Sequence, residues 1–150
     1  MNHKGIELFE ITPVIEEVLG SGGAVSFVSS GSSMMPLIGN KRDKITLVKC
    51  SGKLKKNDIP LYRRENGSFV LHRIIGEDEN GYITRGDNQW FVERGVRDSQ
   101  VIAVLKGVQR KGKYIDCDSE KHKLYCLFLP LIRWIRRIYF GALHRLHIKY

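Results

Sequence analysis

Residues 61–85 read LYRRENGSFVLHRIIGEDENGYITR, and the way this stretch divides decides the fold. Asn66-Gly67 and Asn80-Gly81 are turn dipeptides, because both residue types tolerate the positive φ that tight hairpin turns require. The runs between them are rich in Val, Ile, Phe and Tyr and have the length of strands. The segment therefore reads as a three-stranded antiparallel meander. In its middle strand, SFVLHRII, residues Val70, His72 and Ile74 share one face.

The same grammar extends in both directions. AVSFVSS (24–30), KITLV (44–48), IPLYRR (59–64) and VIAVLKGVQRKGKYIDC (101–117) are β-branched or aromatic runs bounded by Gly, Asn and Asp. Lys111-Gly112 marks one more hairpin. Upstream, Thr12-Pro13 before VIEEVLG predicts a short helix over 13–19. Thr12 would be its N-cap, Pro13 its first residue, and Gly20 its stop. The fold class expected is mainly β: a single antiparallel β domain over 1–118, with this N-terminal helix and a basic amphipathic helical tail over 119–150.

The tail stands out by charge. The chain has 150 residues and a net charge of +9, and residues 121–150 hold seven Lys or Arg with no Asp or Glu. The basicity belongs to the tail, so a domain coated in nucleic acid is not favoured; an anionic surface is the partner implied. Taken as a helix, PLIRWIRRIYFGALHRLH (130–147) aligns Arg133, Arg136, Arg137, His144 and His147 along one stripe. Leu131, Trp134, Ile135, Ile138, Ala142 and Leu146 lie largely opposite. Such a helix either packs its apolar face on the β domain or lies at a membrane interface. A spanning helix is disfavoured by its arginines. The longest apolar run, LYCLFLPLI (124–132), is about half of the ~20 residues a span requires. NHKGIELFEITP near the start has no apolar stretch of the secretory kind. Three cysteines, Cys50, Cys117 and Cys126, show no CxxC spacing, which speaks against a disulfide framework or a zinc site. A cytoplasmic protein, peripheral at the membrane in the interfacial case, is expected, with no metal and no cofactor.

SGSSMMPLI (30–38) is the chemically suggestive segment. Alone it is a Ser/Gly-rich turn. A hydroxyl becomes a nucleophile only where a base removes its proton and backbone donors await the oxyanion. His72, between aliphatic neighbours, is either a satisfied core residue or such a base in a dry site.

Four boxes in order resemble the signal-peptidase and LexA-type superfamily of serine peptidases. GSSMMP (31–36) matches its G-x-S-M-x-P box, with Ser33 at the nucleophile's place. NDIPLYRR (57–64) resembles a strand box that usually begins Gly-Asp, with Asn57 in place of the glycine. VLHRII (70–75) is similar to the box carrying the base, here His72 followed by Arg73 as in the histidine-type members. TRGDN (84–88) looks like the K-G-D-N box with Arg85 for Lys. Histidine-type members carry a catalytic Asp in a following D-R-G. This chain has Glu93-Arg94-Gly95, so Glu93 or Asp87 would orient the imidazole. The resemblance spans roughly residues 13–110. It implies a Ser33–His72 pair performing acyl transfer, with the Ser33 N–H in the oxyanion hole. Gly31, Met34 and Pro36 of the same box would contact substrate. Some relatives add a serine hydroxyl two residues before the nucleophile, where Gly31 here has none.

Three functions remain open at this level. The first is a serine endopeptidase that cleaves leader or signal-like segments and binds a peptide or protein substrate as an extended strand. The second is a catalytically silent module that captures peptide strands. The third is a repressor-like regulator that meets nucleic acid through its basic tail.

Overall fold

The computed structural model describes residues 8–145, with helix α1 (Leu8–Gly20) first. Strands β1 (Ala24–Val28), β2 (Lys44–Val48), β3 (Pro60–Arg63), β4 (Phe69–Leu71), β5 (Arg73–Asp78), β6 (Gly81–Arg85), β7 (Glu93–Val96), β8 (Val101–Arg110) and β9 (Lys113–Asp116) follow. Helix α2 (Glu120–Arg145) closes the order. The architecture is mainly β and antiparallel, with one helix at each end. The chain divides into two compact units, Met1–Cys117 and Asp118–Tyr150.

The predicted meander is instead two hairpins in two sheets. β3 pairs with β4 across the Asn66-Gly67 turn, and β5 pairs with β6 with Asp78 opposite Gly81. The expected middle strand breaks at His72, which belongs to neither β4 nor β5. The break is anchored locally: Ile74 N–H donates to Asp58 O (2.8 Å) and Asn57 N–H to Ile74 O (2.9 Å). These bonds draw the chain off the edge of the first sheet and start the second. Asn57 takes φ +79°, a left-handed conformation that Asn adopts more readily than most side chains.

The larger sheet runs β1-β2-β8-β3-β4, with β9 also paired to β8; the smaller runs β5-β6-β7. β1 and β4 are thus the two ends of the larger sheet. The Lys111-Gly112 turn joins β8 to β9, and its residues take φ +48° and +77°, both left-handed as a type I′ turn demands. Leu54, Tyr62, Ile74, Tyr82 and Val96 form a buried cluster that ties the sheets together. Ile45, Leu47, Leu105 and Val108 supply the buried face of β2 and β8. Burial of such side chains, about 1.5–3 kcal/mol each, is what offsets the ordering of short strands.

The first helix begins earlier than the sequence suggests, and the second starts at the head of the tail expected over 119–150. α1 is already helical at Leu8, so Thr12 is not its N-cap and Pro13 lies inside it. The lost Pro13 N–H costs one intrahelical bond, which the buried Ile15 and Leu19 offset. The helix does end at Gly20, but Gly22 makes the stop. At φ +83° it lets Gly22 N–H reach Leu19 O (3.1 Å) and Gly23 N–H reach Val18 O (2.9 Å), the paired bonds of a Schellman end. α2 starts at Glu120, ten residues before Pro130, with Ser119 as its cap: His122 N–H donates to the Ser119 hydroxyl (3.2 Å). The side chains of Ala142, His144, Leu146 and His147 lie outside the described residues. Among those described, no helix is long and apolar enough to cross a membrane.

Candidate functional site

Ser33 sits in a turn just beyond the end of β1, and three independent devices hold it. Met34, Leu37 and Ile38 are buried, so alternate sides of the turn are fastened into the core. The Arg110 guanidinium donates to Pro36 O (2.9 Å) and Leu37 O (2.7 Å), and to the fully buried Asp43 carboxylate (2.7 Å). Asp43 also accepts from Arg42 and the Gly39 N–H; hydrogen bonding to Arg42 above all holds its carboxyl well below the usual range. The third device is the RGDN segment. Asn88 N–H donates to Ser33 O (2.8 Å) and its side-chain amide to Ser32 O (3.2 Å). Any Cβ on Gly86 would fall 2.6 Å from Ser33 O, so only glycine admits this approach. Gly31, at φ +106°, donates its N–H to Asn40 Oδ1 (2.9 Å) and leaves the Ser33 side chain half-buried.

Ser33 and His72 line the same cleft, of about 250 Å³. One wall is Ser29, Ser30 and Gly31, continuing from β1; the other is Phe69, Val70 and Leu71, which are β4. The two ends of the larger sheet therefore flank one groove. Met34, Arg64 and Gln89 complete its lining. Of the residues expected to contact substrate, Gly31 and Met34 are in the lining. Pro36 is not; its carbonyl is taken up by Arg110 instead. Gln89 was not anticipated from the sequence. Its amide Oε1 is buried without a hydrogen-bond partner, an acceptor that an extended peptide's N–H would satisfy.

The two candidate carboxylates are separated cleanly. Asp87 and Arg73 are both almost wholly buried and form a bidentate pair: Nε to Oδ1 at 2.8 Å and an η-nitrogen to Oδ2 at 2.7 Å. Arg73 also donates to Asn57 O (3.1 Å), so the pair joins three segments. Glu93 stands beside the histidine, with Oε2 3.9 Å from His72 Nδ1.

Between them lies Tyr62. Its hydroxyl donates to Glu93 Oε2 (2.9 Å), contacts Thr84 Oγ1 at 2.9 Å, and is 3.5 Å from His72 Nδ1. Because the phenol spends its one proton on Glu93, the Thr84 hydroxyl must donate to it, and its oxygen can also accept from the imidazole. Arg64 closes the set with two bonds to Glu93, each 2.8 Å, and lowers the carboxyl's pKa. Tyr62 in β3 and Arg64 just past its end stand two residues apart and reach the same carboxylate, a spacing that IPLYRR carries. Their common target, Glu93, is opposite Thr84 in the β6–β7 register, which the sequence does not disclose.

Burial is the chief influence on His72 and pushes its pKa down to about 4, against a smaller upward pull from Glu93. The imidazole is neutral at pH 7. Among the described residues no group of three or more His, Cys, Asp or Glu is arranged to hold a metal ion.

No family model, curated protein or solved structure gives a significant match to the chain. The likeness of its four boxes to a peptidase superfamily therefore rests on the residues themselves. Their placement gives each a physical task. The first presents Ser33, the second places Asn57 and Tyr62, the third carries His72, and the fourth clamps the Ser33 turn and pairs Arg73.

Proposed function

We propose that this chain is a serine endopeptidase of the signal-peptidase and LexA type, cleaving a peptide bond in leader or signal-like segments by a Ser33–His72 pair. The observation that carries the proposal is that Ser33 and the neutral His72 line one groove flanked by β1 and β4, the two end strands of a sheet. An end strand offers unpaired N–H and C=O groups. A substrate in extended form would pair with them and be led across Ser33.

In this mechanism His72 keeps its proton on Nδ1, toward Tyr62 and Glu93, and receives the Ser33 proton on Nε2. The Ser33 oxygen attacks the carbonyl carbon, and the Ser33 N–H is the candidate donor to the oxyanion. The imidazolium passes its proton to the leaving amine; water, deprotonated by the same imidazole, then releases the acyl group. Glu93 stabilises the transient imidazolium and, through Tyr62, fixes the tautomer. The experiment is cleavage of a peptide library by wild type and by His72→Ala. Sequence-selective cleavage lost in the variant supports the proposal; equal turnover by both overturns it.

The pH dependence is specific. An unperturbed histidine would lose its proton near 6.5. His72, with a pKa of about 4, is expected to give a kcat/KM that is flat from about pH 6 to 8 and falls only as pH approaches 4. A lysine base would instead make the rate climb through the alkaline range, and no lysine lines the groove. The same shift acts on stability. Between about pH 6.5 and 4 the unfolded chain binds the proton that folded His72 refuses, so its contribution is present above 6.5 and lost as pH falls toward 4. A pH–rate profile and melts across this interval check both.

Glu93→Gln removes the charge facing His72 and weakens the Arg64 clamp. We expect kcat to fall on the order of 10²-fold with KM little changed, since the carboxylate faces the base and not the substrate. A rise in KM alone would assign Glu93 to substrate binding. One observation favours the silent peptide-binding alternative: both Glu93 oxygens are engaged by Arg64, and His72 stays 3.9 Å away. Tight peptide binding with no cleavage at any pH would establish that alternative.

A further inference from the structure

The C-terminal unit holds a single helix, which cannot cover its own apolar face. Along α2, Leu124, Leu127, Phe128, Leu131, Trp134, Ile135, Ile138 and Tyr139 recur at three- and four-residue intervals. At 3.6 residues per turn they fall within an arc of about 140° and run ~22 Å along the axis. Pro130 does not interrupt the stripe, because the helix continues through it. The margins are ordered. Trp134 occupies one edge of this exposed stripe, with Lys123 and Arg137 next around the helix; Tyr139 occupies the other, in line with Lys121, with the half-buried Ile132 and Tyr125 and then Arg136 beyond it. Arg133 faces directly away from the stripe, on a side where it is buried together with His122 and Leu129. The sole acid in α2, Glu120, is at its first turn and bonded to Lys123 (2.6 Å).

From this arrangement we infer that α2 is an interfacial helix that docks the protein on an anionic lipid surface, its apolar stripe in the acyl boundary and its basic margins among the headgroups. The inference does not depend on the proposed enzymatic activity. Apolar burial alone would suit any greasy partner. The indole and phenol at the two edges and the cations beyond them match the layering of a membrane interface, apolar then amphipathic then charged. A helix filling a protein groove has no need of a one-signed border. Spanning is excluded by the same cations, and no window of the helix is apolar enough for it.

The test uses the full chain and co-sedimentation with two sets of vesicles, phosphatidylcholine alone and phosphatidylcholine with about one-third phosphatidylglycerol. We expect binding to the anionic set, at least about tenfold weaker on the neutral set and again as salt rises to ~0.5 M. Ile135→Glu with Ile138→Glu should abolish binding and leave the melting temperature and oligomeric state unchanged. Arg136→Gln with Arg137→Gln, which spares the apolar stripe, should weaken binding and flatten its salt dependence. Absence of binding by the wild type, or binding indifferent to salt and to both variants, overturns the inference. So does a sharp fall in melting temperature or a dimer-to-monomer change in the Ile135/Ile138 variant, which would give the face to the β unit or to a second copy.

Discussion

Ser33→Ala is expected to reduce peptide cleavage by at least about 10³-fold while the melting temperature stays within ~2 °C of wild type. The magnitude follows from the role proposed for the hydroxyl: without it no acyl-enzyme would form, and only groove binding and the oxyanion donor would remain. The stability follows from what it does not do. The turn is held by the Ser33 backbone carbonyl, by buried Met34 and Ile38, and by Arg110, all of which survive the change. Ser29→Ala and Ser32→Ala are the controls. Ser29 lines the groove and Ser32 offers only its carbonyl to Asn88, so both variants should cleave within a few-fold of wild type. Equal loss in Ser29→Ala would dissolve the claim that one serine is singled out.

Asp87→Asn should have the largest effect on stability, about 3–5 kcal/mol, because it leaves the Arg73 guanidinium buried without its counter-charge. Against a typical domain stability of 5–15 kcal/mol that is a large share, equivalent to roughly 10–20 °C in melting temperature. Replacing both partners, Arg73→Met with Asp87→Leu, should recover part of the loss, since an apolar pair carries no desolvation cost. At temperatures where Asp87→Asn is folded, its specific activity should approach wild type, because both oxygens of that carboxylate are bonded to Arg73. A folded, fully stable and inactive Asp87→Asn would reverse the roles of Asp87 and Glu93. Thermal melts and cleavage assays on the same preparations separate the cases.

Glycine and asparagine carried the legible part of the fold. Gly67 and Gly112 sit in hairpin turns at φ +86° and +77°, which cost glycine little, a local property that needs no partner. Gly31 is legible as the glycine of a Ser/Gly turn, Gly86 and Asn57 only as members of boxes. Their reasons are a left-handed turn, a close approach to Ser33 O and a left-handed cap on a sheet junction. The start of the first helix differs from the sequence reading: Pro13 looks like a first residue, yet the buried Ile15 and Leu19 carry the helix past a missing N–H.

By itself, then, the sequence determined an antiparallel β unit with turns at known places, a basic tail of helical period, and a short set of polar residues as candidates for a site. These follow from local conformational preference and hydrophobic period, which neighbours along the chain decide. Tertiary structure alone decided that SFVLHRII breaks at His72 between two sheets, since hydrogen bonds from Asn57 and Asp58 compete with continuation of the strand. It alone also sent Asp87 to Arg73 and brought Glu93 to Tyr62 and His72. Two carboxylates acquire different surroundings only through the cations and dipoles that folding places beside them. Those partners stand 14 and 31 residues away in the chain, where no local rule reaches.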